Sequence, residues 1–389
     1  MMEAKLIYQN FDGLDVTFQG AFPGELLSFL ERSKDEAQAR NGSLVINLSS
    51  VEGEFLIVIL REKGAGGYSY LFDTGPWGAI WMVSKNQDPE KWNIRVSVHS
   101  LALALKGYEE VKEEILDTLA SLGAIGPQWD EKRQRKMPKE RVSRIDYCFD
   151  YHVGYLNPDP THFVAHSKSK KHAHFESIEP DAVYTGSRVQ SIRVGVMPNR
   201  QVALYLKTKE IAAHGKAYWW DIWGTKSKGF NGEIWRVEAR AGKDDLDEWN
   251  LKSFADFETK AGDVILGALN AIRYTIPSDD SNRSRWPLHP IWEQSIANAA
   301  NVLAPYISGA DRKKILSGLR SEREQMFLSL IRGSLTSLTA LKGLDISELP
   351  QTLDAVSEDA LSFLKDYPKL AADKFNQAEM RYRSLLDGA

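Results

Sequence analysis

Tyr205 and Lys207 stand two residues apart in Arg200-Gln201-Val202-Ala203-Leu204-Tyr205-Leu206-Lys207-Thr208-Lys209-Glu210. Downstream lies Trp235-Arg236-Val237-Glu238-Ala239-Arg240, and upstream lies Arg144-Ile145-Asp146-Tyr147-Cys148-Phe149-Asp150. A phenol, a nearby ammonium and carboxylates on two other apolar-rich segments, with arginines beside each, suit one chemistry. That chemistry is attack by a phenolic oxygen on a phosphodiester held by a divalent metal. A free phenol titrates near about 10 and is a poor nucleophile at neutral pH. An ammonium on its own face of a strand and a metal-polarised phosphate would each help. The plain alternative is a structural strand tyrosine with an unremarkable lysine at i+2.

Asp146 and Asp150 are four apart, so a regular strand turns both to one face. Each interrupts an apolar run, and Glu238 does the same between Val237 and Ala239. A carboxylate on a buried strand costs several kcal/mol unless a cation or a hydrogen-bonding partner meets it. Hard divalent cations such as Mg²⁺ take such oxygen ligands. Arg144, Arg236 and Arg240 offer the other solution, a carboxylate–guanidinium network across the sheet. Both readings stand at this point for Asp146, Glu238 and Asp150.

Two further clusters carry weaker signals. His162, His166, His172 and His174 crowd one basic stretch. Their Ser-Lys-Ser-Lys-Lys context reads as a DNA-facing or merely solvated loop rather than a metal site. Tyr218-Trp219-Trp220, Trp223 and Trp235 would stack on unpaired bases if exposed; the pattern favours core for at least half of them. There is no phosphate-binding P-loop, no Gly-rich dinucleotide fingerprint and no Gly-x-Ser-x-Gly elbow, which argues against an NTPase or an α/β-hydrolase.

Total charge is −4 over 389 residues and predicts little by itself. Its distribution says more: residues 131–243 carry 21 Lys and Arg against 12 Asp and Glu, while residues 1–130 carry 11 against 19. A basic middle between acidic flanks suits a phosphate-attracting surface, although patchy surface charge would look the same. One cysteine, Cys148, excludes an internal disulfide and a cysteine-based zinc site. The N-terminus lacks a signal-peptide pattern, and no apolar run reaches the ~20 residues of a membrane span. The expectation is a cytoplasmic protein.

These residues need elements to position them. Strands are expected around Gly13 in residues 1–20, then at Leu44–Leu48, Phe55–Arg61, Tyr68–Phe72, Ala79–Val83 and Trp92–His99, with helices over Phe22–Arg40 and Tyr108–Leu122. Gly126 to Lys139 reads as a linker. Beyond it, strands are expected at Val142–Tyr151, Val183–Gly186, Ser191–Met197, Arg200–Lys207 and Ile234–Arg240. Helices are expected in Pro158–Lys171, Thr208–Tyr218 and Ser253–Ile272. After Pro277 only helical pattern remains. The chain thus divides into an N-terminal α+β domain (1–126), a second α+β domain carrying the chemistry (140–276) and a helical C-terminal domain (286–389).

At these residues the chain resembles the replication initiation factor family, the Rep_trans-type rolling-circle replication initiators and related relaxases. Arg144-Ile145-Asp146 with Asp150 matches the family's first acidic strand, and Tyr184-Thr185-Gly186-Ser187 follows. Then come Tyr205-Leu206-Lys207 with Glu210, and Arg236-Val237-Glu238, in the family's order over residues 140–245. Ala203 and Leu206 depart from the family's Arg-x-Tyr-Asp-Lys; Arg193 or Arg200 would have to supply the missing charge.

The resemblance implies an α+β fold: an HUH-like antiparallel sheet with flanking helices, acidic residues replacing the histidine pair, a smaller α+β domain before it and a helical region after it. It implies Tyr205 as nucleophile with Lys207 assisting, and Mg²⁺ or Mn²⁺ on Asp146 and Glu238, with Asp150 a further candidate. Arg144, Arg193, Arg200, Arg236 and Arg240 are the DNA-binding candidates. The implied activity is nicking of single-stranded or hairpin origin DNA, leaving a 5′-phosphotyrosine and a 3′-OH primer. A host helicase and a second copy of the chain are the implied partners. A conjugative relaxase with the same chemistry, and a non-catalytic DNA-binding regulator, are the alternatives.

Overall fold

Long alternating runs near the start of the chain and after the basic linker make two strands that dominate everything else. The computed structural model describes residues 4–49, 53, 55–165, 180–306, 308 and 312–386. Strand β1 (Lys5–Gln19) is followed by helix α1 (Gly24–Ala39), then β2 (Leu44–Ser49), β3 (Phe55–Leu60), β4 (Tyr70–Asp73), β5 (Ala79–Val83) and β6 (Ile94–Val98). Helix α2 (Ser100–Ser121) is broken at Gly107, whose φ of 77° lies in the left-handed region where glycine carries no Cβ penalty.

The expected linker holds a small hairpin, β7 (Gln128–Asp130) with β8 (Arg135–Met137), and leads into β9 (Lys139–Val153). The helix expected in Pro158–Lys171 is, over its described part, a single turn at Pro160–His162 and the short strand β10 (Phe163–Ala165). The cause is local: Asp159 caps Thr161 and closes only one turn. His166, His172 and His174 lie outside the described residues. Next come β11 (Asp181–Thr185), β12 (Arg188–Gly195), β13 (Arg200–Leu206), α3 (Lys207–Ala213), α4 (Trp219–Ile222), β14 (Glu233–Gly242), α5 (Lys243–Glu248), α6 (Phe254–Ala271), β15 (Ile272–Tyr274) and α7 (Pro290–Val302).

One eleven-stranded sheet runs in the order β11-β12-β13-β14-β9-β1-β6-β5-β4-β3-β2, and every neighbouring pair is antiparallel. Strands from before and after the linker therefore share a single sheet, joined where β1 pairs with β9. One face of this centre is apolar. Phe11 and Tyr147 lie edge to face at 5.1 Å, and beneath them the Tyr108 ring of α2 stacks on Phe257 of α6 at 4.1 Å. Alternation turns Asp146, Cys148 and Asp150 to the other face. There α4 covers only the Asp150 end, where Trp223 Nε1 donates to Asp150 Oδ2 at 2.8 Å.

The chain divides into two compact units, Met1–Asp247 with Leu251–Ser308, and Glu248–Asn250 with Gly309–Ala389. Helix α7 packs in the first: Trp292 is fully buried and its Nε1 donates to Leu269 O on α6. The second unit contains α8 (Arg312–Leu341), α9 (Leu349–Asp366) and α10 (Pro368–Leu386), and no strand among its described residues. Inside it, the buried hydroxyls of Thr339 and Thr352 meet at 3.0 Å. No helix among the described residues is long and apolar enough to cross a membrane.

Candidate active site

Strand register places the candidate residues in three rows across β13, β14, β9 and β1. Gln201, Arg240, Asp146 and Gly13 form one row; Ala203, Glu238, Cys148 and Asn10 form the next; Tyr205, Arg236, Asp150 and Tyr8 form the third. Side chains in neighbouring rows lie within diagonal reach of one another. Tyr205 Oη donates along such a diagonal to Glu238 Oε2 at 2.9 Å. Glu238 Oε1 accepts from Arg240 Nε at 2.7 Å, and Arg240 Nη1 donates to Gln201 Oε1 at 2.9 Å. Arg144 grips Asp146 from two residues away on the same strand, Nε to Oδ1 at 2.9 Å and Nη2 to Oδ2 at 2.6 Å.

Tyr205, Glu238, Arg240, Arg144 and Asp146 line one pocket of about 720 Å³, together with Asp12, Asp15, Arg193 and Lys207. Tyr205, Asp146 and Glu238, far apart in sequence, therefore converge. Gly13 makes this possible: a Cβ there would sit 2.7 Å from Asp146 Oδ2. Beside it, β1 bulges between Phe11 and Gly13, and Asp12 is the extra residue. Bulges commonly re-aim a side chain next to a functional site. Asp12 lines the pocket and its Oδ1 accepts from Arg236 Nη1 at 2.7 Å.

Removal from water pushes the Tyr205 phenol well above its ordinary value, and the charge of Glu238 adds to this. Burial, with the charge of Glu238, also pushes the Asp146 carboxyl up against the pull of Arg144. Burial works the same way on Glu238, but there Arg240 outweighs it and holds the carboxyl down. The site thus sets side by side two carboxyls that their neighbours shift in opposite directions.

Other candidates lie elsewhere. Asp150, expected among the metal ligands, is fully buried and its two oxygens accept from Arg236 Nε at 2.6 Å and Nη2 at 2.8 Å. It does not line the pocket. The salt-bridge reading of this residue is the one the structure supports. Arg236, a DNA-binding candidate, is itself fully buried, with its guanidinium 4.4 Å from the Trp219 ring centroid. An arginine enclosed this way has no surface to offer a phosphate. Arg200 points to the opposite face of β13, and its Nη2 meets the buried Asp245 Oδ1 at 2.5 Å. Arg193 lines the pocket wall and pairs with Asp181 at 2.8 Å.

Lys207 is not on the strand, as expected from Arg200–Lys207, but begins α3. Its Nζ lies 5.6 Å from the Tyr205 ring centroid and 2.8 Å from Glu210 Oε2. It therefore sits over the ring rather than at the hydroxyl. Trp219, Trp223 and Trp235 are buried. Asp12, Gly13, Glu210 and Lys216 are pocket residues that motif reading left out of the candidate site. The available signal for the first two was Asp12-Gly13 interrupting a strand pattern, a mark of a bulge.

No family model matches this chain, and no curated protein matches it. Among solved structures, a rolling circle replication initiator protein from Geobacillus stearothermophilus is similar over 76% of this chain and 97% of that one. The identity is 14% and the TM-score 0.38. The reading of the pocket rests on its own residues.

Proposed function

We propose that this protein is a DNA nicking-joining endonuclease that starts rolling-circle replication, with residues 140–276 supplying the chemistry. The observation that carries the proposal is the Tyr205 hydroxyl donating to Glu238 inside a pocket that also presents Asp146. In this reading Tyr205 Oη bonds to the scissile phosphorus as the P–O3′ bond breaks. The phenol proton leaves along the hydrogen bond to Glu238 and passes on to water, and the departing 3′ oxygen takes a proton back from water. The products are a 5′-phosphotyrosine and a 3′-OH. The bond energy is kept in the ester, so rejoining needs no nucleotide. Arg144, Arg193 and Arg240 line the pocket and would meet the phosphates; Lys207 adds positive charge beside the ring.

Carboxylate oxygens are what a hard divalent cation takes, and two carboxylates are on offer here; no group of three or more His, Cys, Asp or Glu that could hold a metal stands together among the described residues. Asp146 and Glu238 are oxygen donors on adjacent strands facing one pocket, and the burial that, with the charge of Glu238, pushes the Asp146 carboxyl up is a penalty a cation would offset. They would hold Mg²⁺ or Mn²⁺ in competition with Arg144 and Arg240, and the ion would supply Lewis-acid polarisation of a phosphate oxygen. The partners in this proposal are single-stranded or hairpin origin DNA, a host helicase and a second copy of the chain.

The test uses a 3′-labelled pool of randomised single-stranded oligonucleotides with Mg²⁺ or Mn²⁺, because the 5′-phosphotyrosine keeps the strand that carries that label. Wild type should shift label onto protein in a denaturing gel. Tyr205→Phe should abolish the shift and leave DNA binding intact; adducts formed by the Phe variant would end the assignment.

One observation favours a second reading, a DNA-binding regulator without chemistry. Each oxygen of Asp146 and Glu238 already accepts a hydrogen bond from an arginine or from Tyr205. That reading expects Mg²⁺ and Mn²⁺ to leave the melting temperature unchanged.

A further inference from the structure

Helix α3 brings a second charged cluster to the far end of the same pocket. Lys207, Lys209, Glu210, His214 and Lys216 all line it. Glu210 stands at its centre: Oε2 meets Lys207 Nζ at 2.8 Å, and Oε1 meets Lys216 Nζ at 2.7 Å and His214 Nδ1 at 3.5 Å. The spacing explains part of this, since positions 207, 210 and 214 share one side of a helix. Burial would raise the Glu210 carboxyl, but Lys207 and Lys216 outweigh it, so it stays ionised. Lys209 is exposed, and its Nζ is held by a neutral acceptor, Thr185 Oγ1, at 2.6 Å.

Three lysines against one carboxylate leave a surplus of positive charge at this end. The lysines do different work. Lys207 is buried, with Nζ 4.8 Å from the Trp219 ring centroid, and acts as a fixed post behind Glu210. Lys209 and Lys216 reach solvent. A carboxylate that gathers cations without cancelling them makes a site for a larger anion. Tyr205 lines the same pocket as Lys209 and Lys216, so that anion would share the pocket with the tyrosine.

We propose that the α3 end of the pocket is a second phosphate subsite, that it takes a phosphodiester neighbouring the scissile one, and that Glu210 is the positioning residue that holds Lys216 in place against Lys207, with Lys209 set beside them by Thr185. The ligand is the backbone of a single-stranded nucleic acid, read through charge and not through bases. This rests on the nicking reading above and adds to it a reason for the strand to enter in one register. With the next phosphate fixed on Lys209 and Lys216, the scissile one is delivered to Tyr205 Oη.

The experiment measures binding of a fluorescent single-stranded oligonucleotide to full-length Tyr205→Phe protein across a salt series. Each phosphate that is no longer neutralised reduces the slope of log affinity against log salt by about 0.7. Lys209→Gln with Lys216→Gln should weaken binding and flatten the slope by roughly 0.7, one such step for the one phosphate the two lysines hold, with the melting temperature unchanged. Glu210→Gln sharpens the test, because it adds net positive charge. A positioning role expects weaker binding and a flatter slope in spite of that, with Glu210→Asp restoring part of both. Tighter binding by Glu210→Gln, or an unchanged slope in the double lysine variant, overturns the proposal. The two readings separate cleanly. Wild-type adducts with an unchanged slope leave nicking standing without the subsite. A flattened slope with no adduct leaves a phosphate subsite on a protein that does not nick.

Discussion

Two carboxylate–guanidinium assemblies share strand β9, four residues apart, and they have opposite characters. Asp150 with Arg236 is sealed: both are fully buried, Trp223 donates to the acid, Trp219 covers the guanidinium, and Asp12 takes its remaining edge. Asp146 with Arg144, beside Glu238 with Arg240, opens onto a pocket and is touched by a tyrosine hydroxyl. The chemistry of the side chains is the same in both. What differs is the roof. Helix α4 closes one end of the sheet face, while at the other end Asp146 and Glu238, though buried, line the wall of a pocket. A pair that is enclosed and fully satisfied supports the fold, whereas a pair with an open side and an exchangeable partner is free to meet a ligand.

Mutation should separate the two most strongly at the sealed end. Removing one partner of a buried pair strands the other charge and costs about 3–5 kcal/mol. Asp150→Ala should therefore lower unfolding free energy in urea by that order, and a loss below about 1 kcal/mol would show that the enclosure is less complete than its geometry. Gly13→Ala is the next largest. The new methyl group would meet Asp146 Oδ2 at 2.7 Å, and overpacking of this kind costs about 1–3 kcal/mol. It should also reduce adduct formation, because Asp146 has to move; full activity in a destabilised variant would detach Asp146 from the chemistry.

The smallest effect is on pH dependence. The Asp146 carboxyl is raised to about 7 from an ordinary 3.8. A raised acid binds more protons folded than unfolded, so its contribution to stability is fully present below the unfolded value and is lost as pH rises through the folded one. Between about pH 4 and 7 the wild type should carry a downward slope from this group that Asp146→Asn lacks. Melting curves of the two proteins in that window check it, and parallel curves would mean that Asp146 is ionised throughout.

Much of the architecture was legible in the chain. Strand-like apolar runs located β2 to β5, β9 and β11 to β14 to within a few residues, and alternation of Trp92, Ile94, Val96 and Val98 located β6. The spacing of Val111, Ile115 and Leu119 located the main part of α2, and all three are buried. The region 126–139 was not legible, since a two-strand hairpin of polar residues has no apolar period to read. The site was legible in part. Tyr205, Asp146 and Glu238 stood out as polar residues in apolar runs and do converge. Glu210 entered only as the acidic residue after Tyr205-Leu206-Lys207 in the motif and Lys216 not at all, because a charged residue on a short helix or just after it looks the same whether or not it faces a pocket.

The order of residues alone settled which side chains had to answer for their burial. An aspartate or glutamate inside an apolar strand carries a desolvation cost that some cation or donor must offset, wherever the strand ends up. Which offset each acid received was a matter of three-dimensional neighbours. Asp150 met Arg236 across one pair of strands and was shut in by α4, while Glu238 met the Tyr205 hydroxyl and, with Asp146, came to line a pocket. Register and cover are properties of strands and helices brought together from distant parts of the chain, and no local pattern encodes them.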